Sequence, residues 1–185
     1  MLISMLLAAA LQTTAPQDGP IATAAPREGE TAAQVRLREA IAYEAPMPRG
    51  APEQDYPLVA WCNALVSGHV RLGETLTDRD PLDLEIIRLG KLEASDFASA
   101  LAQAGPRQPA ATRAAADAAA TEATAMWTPL MAQTDEKLRS QSFGLFFGLP
   151  GRCEHAARRI RANINTPPAS LADVGLDDQG RTAVP

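Results

Sequence analysis

The chain has 185 residues and a net charge of -5, and although 46% of its residues are apolar, only 4% are aromatic. Alanine alone makes up roughly a fifth of the chain, well above ordinary usage. This composition favours helices over β-sandwiches, barrels and parallel-sheet nucleotide-binding domains, whose strands need β-branched and aromatic residues. The acidic charge gives no electrostatic reason to expect nucleic acid as a partner. Two cysteines and two histidines are too few for a zinc-finger array or a cysteine-dense scaffold.

The chain begins with an apolar run, Met1–Leu11, that is much shorter than the ~20 residues needed to span a bilayer. Ala8, Ala10 and Ala15 are small residues at which a signal peptidase could cut. The pattern predicts a secretory signal peptide over residues 1–15, although no lysine or arginine precedes the run. We therefore expect a periplasmic or secreted protein with no transmembrane helix in the mature chain. The alternative is a frayed N-terminus of a cytoplasmic protein.

Proline marks the two ends of the chain. Most of the 15 prolines lie before residue 53 or after residue 166, which leaves the middle largely free to be helical. We expect a disordered Pro/Ala-rich segment over residues 16–54, with one possible short helix at Thr31–Tyr43. A helical domain over residues 55–165 and a disordered tail over residues 166–185 are expected to follow.

The first two helices of the middle region have clear signals. In the first, residues at 4-3-4-3-4 spacing predict one buried seam: Leu58, Cys62, Leu65, His69, Leu72 and Leu76. The second is predicted to start at Asp80-Pro81, an N-cap followed by a proline at the first helical position. It is predicted to stop at Gly105-Pro106.

A third helix is predicted from about Gln108 into Arg139, with Pro129 as a kink or a break. Its apolar side is expected to hold Ala119, Ala123, Met126, Leu130 and Leu138, with Trp127 at the edge. In a last helix, Cys153, Ala157, Ile160 and Ile164 follow a 4-3-4 spacing. We therefore expect an all-α fold, an antiparallel bundle of about four helices.

The two cysteines, Cys62 and Cys153, both face the apolar seams of their helices. In an oxidising compartment they are expected to form a disulfide that staples the bundle. Cysteines near the starts of the first and last helices could not meet in a plain up-down-up-down bundle. A bridge would require either that the segment after Leu138 returns along the bundle, making those helices parallel, or that Pro129 splits the third helix. The alternative is two buried free thiols in a reducing cytoplasm.

His69 lies on an apolar seam, which favours a core histidine bonded to a polar group over a ligand site. Cys62, His69, Cys153 and His155 have side chains that suit zinc or copper, but their spacing does not match a metal motif. No metal or other cofactor is expected. We find no serine–histidine–acid constellation, phosphate loop or paired-carboxylate motif, so an enzyme has no support from the sequence.

Two features could form a partner surface. The last helix has a basic face, which could bind an acidic partner or, as we favour, pair with acidic neighbours: Arg152, Arg158, Arg159 and Arg161. Most phenylalanines lie in the segment Phe143–Leu149, at Phe143, Phe146 and Phe147. Exposed, this segment would contact a partner protein or the membrane interface; packed, which we favour, it completes the core.

These observations predict an exported binding, scaffold or accessory protein of the bacterial envelope, with no recognisable catalytic motif. The expected partner is an unidentified envelope protein, and peripheral membrane contact is left open. The alternative is a bundle that responds to a small ligand or a metal through a site near His69.

Overall fold

The structure is a computed structural model that describes residues 29–146 and 148–176. These residues form six α-helices and two short 3₁₀ helices, Gly105–Arg107 and Ala172–Val174. The α-helices are α1 (Ala32–Glu44), α2 (Asp55–Glu74), α3 (Pro81–Ala104), α4 (Ala110–Met131), α5 (Glu136–Gly144) and α6 (Gly151–Arg161). The predicted all-α fold is confirmed, with more helices than the four expected. The predicted signal peptide lies outside the described residues. Within them, no helix combines the length and apolar composition needed to cross a membrane.

The local signals for α2 and α3 are confirmed. All six residues of the predicted α2 seam are buried, from Leu58 to Leu76. At the start of α3, the Asp80 side chain accepts from the backbone N–H of Asp83, and the Asp83 side chain accepts from that of Asp80. This reciprocal cap satisfies two donors that a helix start leaves unpaired.

The single helix predicted from Gln108 to Arg139 is two helices in the structure. Pro129 lies inside α4, which continues to Met131, because residues after a proline still donate to their own i−4 carbonyls. The break comes instead before Asp135, whose side chain accepts from the backbone N–H groups of Lys137 and Leu138 and so starts α5.

The buried face of α4 also differs from the predicted one. It consists of Ala116, Ala119, Ala123 and Trp127. Met126 is 44% exposed and Leu138 of α5 is 47% exposed, so their predicted place in the core was wrong. The large indole of Trp127 takes the inward position because it buries more apolar surface than the thioether of Met126.

α2 lies at the centre of the molecule and packs against α3, α4 and α6. Glycines allow the closest approaches. A Cβ atom at Gly68 would lie 2.1 Å from Cδ1 of Trp127, and one at Gly90 would lie 2.7 Å from Cγ2 of Val70. A side chain at either position would require Trp127 or Val70 to move.

Two contacts along α2 fix the position of α6. Arg159, late in α6, bonds Asp55 at the start of α2, whereas Cys153, early in α6, is joined to Cys62 further along α2. A split at Pro129 was wrong, because α4 continues through this residue to Met131 and the chain breaks only before Asp135. α6 lies against the first half of α2, and α5 lies against the second half.

Residues from both ends of the chain pack beside α6. α1 contacts α6 and buries Glu39 and Ala40. The 3₁₀ helix Ala172–Val174 contacts α1 in turn, and Leu171 is buried. The possible helix at Thr31–Tyr43 is α1, so the described ends of the chain help to build the site below.

Candidate functional site

A disulfide joins Cys62 of α2 to Cys153 of α6, as predicted from the sequence. Neither cysteine has exposed surface, and 91 residues separate them along the chain. Bonded sulfurs cannot act as thiolate ligands, so the metal site considered from the sequence loses two of its four groups. Among the residues that the structure describes, no group of three or more histidine, cysteine, aspartate and glutamate side chains could hold a metal ion.

His69 lies in an aromatic cluster inside the molecule. Its Nε2 is 2.9 Å from the carbonyl oxygen of Phe143, and its ring centroid is 4.4 Å from those of Phe143 and Phe146 and 5.9 Å from that of Trp127. Burial lowers the pKa of His69, against the opposing effect of the Phe143 hydrogen bond. A neutral imidazole that donates from Nε2 fits this place, which is that of a core histidine bonded to a polar group.

The segment Phe143–Leu149 lies partly in the core. Phe143 is buried and Phe146 is half-buried, packed against the rings of His69 and Trp127. Phe147 lies outside the described residues. Leu145 is 66% exposed.

Two of the α6 arginines share one buried carboxylate. Nη1 of Arg159 lies 2.7 Å from Oε1 of Glu39, and Nη2 of Arg158 pairs with Oε2 of the same side chain. Nε of Arg159 also donates to Oδ2 of Asp55 over 2.8 Å. Arg161 pairs with an aspartate of α3. These contacts hold α1 and the start of α2 against α6, and they leave three arginines of the basic face already neutralised.

His155 is buried beside these ion pairs. Its Nδ1 has no hydrogen-bond partner among the described residues. Burial lowers the pKa of His155 to about 4, with a further contribution from the Arg158 guanidinium. The ring is therefore neutral at physiological pH, because protonation would place a buried charge near the Arg158 guanidinium, and the attraction of Glu39 only partly offsets this.

A cleft of about 570 Å³ lies beside the ion pairs of α6, at the start of α2. It lies where α2 and α4 begin and α6 ends, and its volume is within the range of small-molecule sites. We call it the polar cleft; its lining includes Tyr43, Glu53, Asp55, Tyr56, Thr112 and Arg152.

Arg152 is held in the polar cleft by neutral groups. Its Nη2 donates to the carbonyl oxygen of Glu53 over 2.8 Å, and its guanidinium carbon lies 4.6 Å from the centroid of the Tyr43 ring. Its Nε is buried and has no hydrogen-bond partner. Across the described ranges, no carboxylate lies within 4 Å of this guanidinium, in contrast to Arg158 and Arg159.

Asp55 is already fully engaged at the wall of the polar cleft. Its Oδ1 accepts from the Tyr43 hydroxyl over 2.6 Å, and its Oδ2 accepts from Arg159. Burial and the hydrogen bond to Asp55 raise the pKa of Tyr43 well above its usual value. The hydroxyl therefore stays a neutral donor, and Asp55 has no oxygen left without a hydrogen bond.

The sequence indicated Arg152 and the disulfide but not the residues of α1 that line the site, above all Glu39 and Tyr43. One signal could have indicated them, because the Thr31-Gln34 pair forms a reciprocal cap that marks a true helix start. In the structure, Ala156 of α6 is buried as well, although it lies outside the predicted seam.

Comparison with protein-family models, with curated proteins and with solved structures finds no match to this chain.

Proposed function

We propose that the protein is an exported, non-catalytic binding or accessory protein of the bacterial envelope, periplasmic or secreted. The observation that carries this proposal is the fully buried Cys62–Cys153 disulfide. Structural disulfides form and persist in oxidising compartments and are rare in the cytosol of mesophiles. The apolar run over residues 1–15 supports the same compartment through its resemblance to a signal peptide.

The scaffold of the proposed binding protein is an antiparallel four-helix bundle. α2, α3 and α4 are three of its helices, and α5 and α6 together take the place of the fourth, which we call the fourth layer. Two contacts of each helix support this arrangement. Arg139 and Phe143 of α5 bond Thr75 and His69 in turn. Cys153 and Arg159 of α6 are joined to Cys62 and Asp55 in turn, so later residues of α5 and α6 contact earlier residues of the α2 region. The disulfide ties this interrupted layer to α2, which keeps the adjoining polar cleft in one shape.

The polar cleft is a better candidate for binding than the phenylalanine segment. Phe143 and Phe146 contribute to the core, whereas the cleft exposes polar groups and a cation without a carboxylate partner. A site near His69 has less support, because Nε2 of the ring is already bonded and aromatic rings pack around it.

Export is tested by expressing the full chain in a bacterium with a periplasm and separating the cell fractions. We expect the protein in the periplasmic fraction, with its N-terminus removed and no thiol that reacts with an alkylating reagent. A matched chain that lacks residues 2–15 should stay in the cytoplasm with both thiols reactive. Retention of the full chain in the cytoplasm, with an intact N-terminus and two free thiols, would refute the proposal.

A further inference from the structure

We propose that the polar cleft binds the oxyanion group of a small ligand, a carboxylate or a phosphate, with Arg152 as its main charged contact. This inference rests on the proposed binding function and adds the chemical class of the ligand. It does not depend on export, because ligand binding is measured on purified protein and export in cell fractions.

The Arg152 guanidinium keeps an uncompensated positive charge in the polar cleft. A carbonyl oxygen and an aromatic ring hold it in place, but neither neutralises its charge. Its Nε–H is buried without an acceptor, and a buried donor left unpaired costs about as much free energy as a lost hydrogen bond. Nη2 is bonded to Glu53, and Nη1 is not among the buried groups without a partner. A bound oxyanion would accept from Nη1 and supply the missing negative charge.

The N-termini of two helices lie at the polar cleft. α2 and α4 both begin at the polar cleft, after Gln54 and Pro109, and neither residue caps its helix with a side chain. The first backbone N–H groups of a helix have no partner within the helix, and they carry partial positive charge. Thr112, in the first turn of α4, lines the cleft, so these donors add to the attraction that Arg152 exerts on an anion.

The acidic groups of the polar cleft do not cancel this attraction. Both oxygens of Asp55 are engaged by Tyr43 and Arg159. The side chain of Glu53 is exposed, so water screens its carboxylate and it can turn towards solvent. The Glu53 carboxylate still repels an anion, so removing its charge should strengthen anion binding, whereas removing the charge of Arg152 should weaken it.

The test is an NMR titration of the uniformly ¹⁵N-labelled full chain as purified, with sodium phosphate and with sodium succinate. Sodium chloride at equal ionic strength is the reference. We expect saturable shifts of the Arg152 Nε–Hε signal and of the backbone amides around Thr112. Saturation by phosphate alone assigns a phosphate group, and saturation by succinate alone assigns a carboxylate. Saturation by both assigns a general oxyanion site, and each of these three results supports the proposal.

Variants separate the site from general charge effects. Arg152→Gln should weaken binding about tenfold, the loss expected for one charge-assisted contact. Arg79→Gln is the matched control, because Arg79 is exposed and lies outside the polar cleft, and it should leave affinity unchanged. Glu53→Gln should tighten binding by about twofold to fivefold, since it removes the opposing charge.

A further pair of variants keeps the test valid if Arg152→Gln does not fold. Thr112→Glu places a carboxylate in the polar cleft while suiting the start of α4, so the chain should fold and lose anion binding. Thr112→Gln should fold and retain it. The proposal is overturned if wild-type shifts grow linearly without saturation, or if Arg152→Gln or Thr112→Glu binds as tightly as wild type.

Discussion

Replacing both Cys62 and Cys153 with alanine should remove about 6–7 kcal/mol from the free energy of unfolding. The larger part of this loss arises because the unfolded chain gains conformational entropy when the bridge is removed. A bridge over 91 residues restricts that chain by an amount worth about 4–5 kcal/mol at 25 °C on the loop-closure model. Each deleted sulfur also leaves a small cavity, because neither cysteine has exposed surface, at about 1 kcal/mol per site.

This loss is large compared with total stability, since a domain of this size is stable by about 5–15 kcal/mol. The assay is urea unfolding at 25 °C, followed by far-UV circular dichroism, on oxidised wild type, reduced wild type and the double variant. Reduced wild type keeps both sulfur atoms, so its difference from the oxidised protein measures the cross-link alone, about 4–5 kcal/mol. The remaining difference between reduced wild type and the double variant measures the two cavities.

The m-value should also rise on reduction, because an unfolded chain without the bridge exposes more surface. A difference of less than about 1 kcal/mol between oxidised and reduced wild type would refute this reasoning. The packing of the helices would then hold α6 against α2 without help from the bridge.

Three further predictions concern buried groups. Glu39→Gln removes the charge that two arginines share and should lower the free energy of unfolding by about 3 kcal/mol in urea titration; a loss below about 1 kcal/mol would show that desolvation already offsets the pairs. Gly68→Ala should destabilise by about 1–2 kcal/mol, because its Cβ would lie 2.1 Å from Trp127, whereas Gly144→Ala, with nothing within 4 Å, should not destabilise. Because unfolded His155 takes up a proton near its ordinary pKa of 6.5 and folded His155 only near 4, its effect on stability is absent above pH ~6.5. As the pH is lowered from 6.5 to about 4, the free energy of unfolding from urea titration should decrease by roughly 2–3 kcal/mol. His155→Gln should reduce this decrease. The same pH dependence in the variant and in wild type would show that other groups cause it.

Helix starts and buried helix faces could be predicted from the sequence where the signal lies in neighbouring residues or in a single helical spacing. The Asp80-Pro81 start of α3 depends on a few neighbouring residues, so the chain sequence contains the whole signal. The seam from Leu58 to Leu76 repeats at helical spacing and is buried throughout. Pairing of Cys62 with Cys153 followed from the number of cysteines alone, although the chain does not break at Pro129.

The remaining features depend on contacts between distant parts of the chain. In α4, spacing alone could not rank Met126 against Trp127, because neighbouring residues face adjacent directions and packing against Gly68 decides between them. Glu39 and Arg159 are 120 residues apart, and a charged residue on a short helix is ordinarily solvated. Only the docking of α1 on α6 buries this pair and places Tyr43 beneath Arg152.

The most direct test of the central claim is the intact mass of the protein recovered from whole bacterial cells after alkylation of free thiols under denaturing conditions without reductant. A structural bridge in an exported chain predicts a mass that lacks the N-terminal segment, carries no alkyl group and gains two such groups only after reduction. A full-length mass with two alkyl groups before reduction would contradict both the bridge and the compartment.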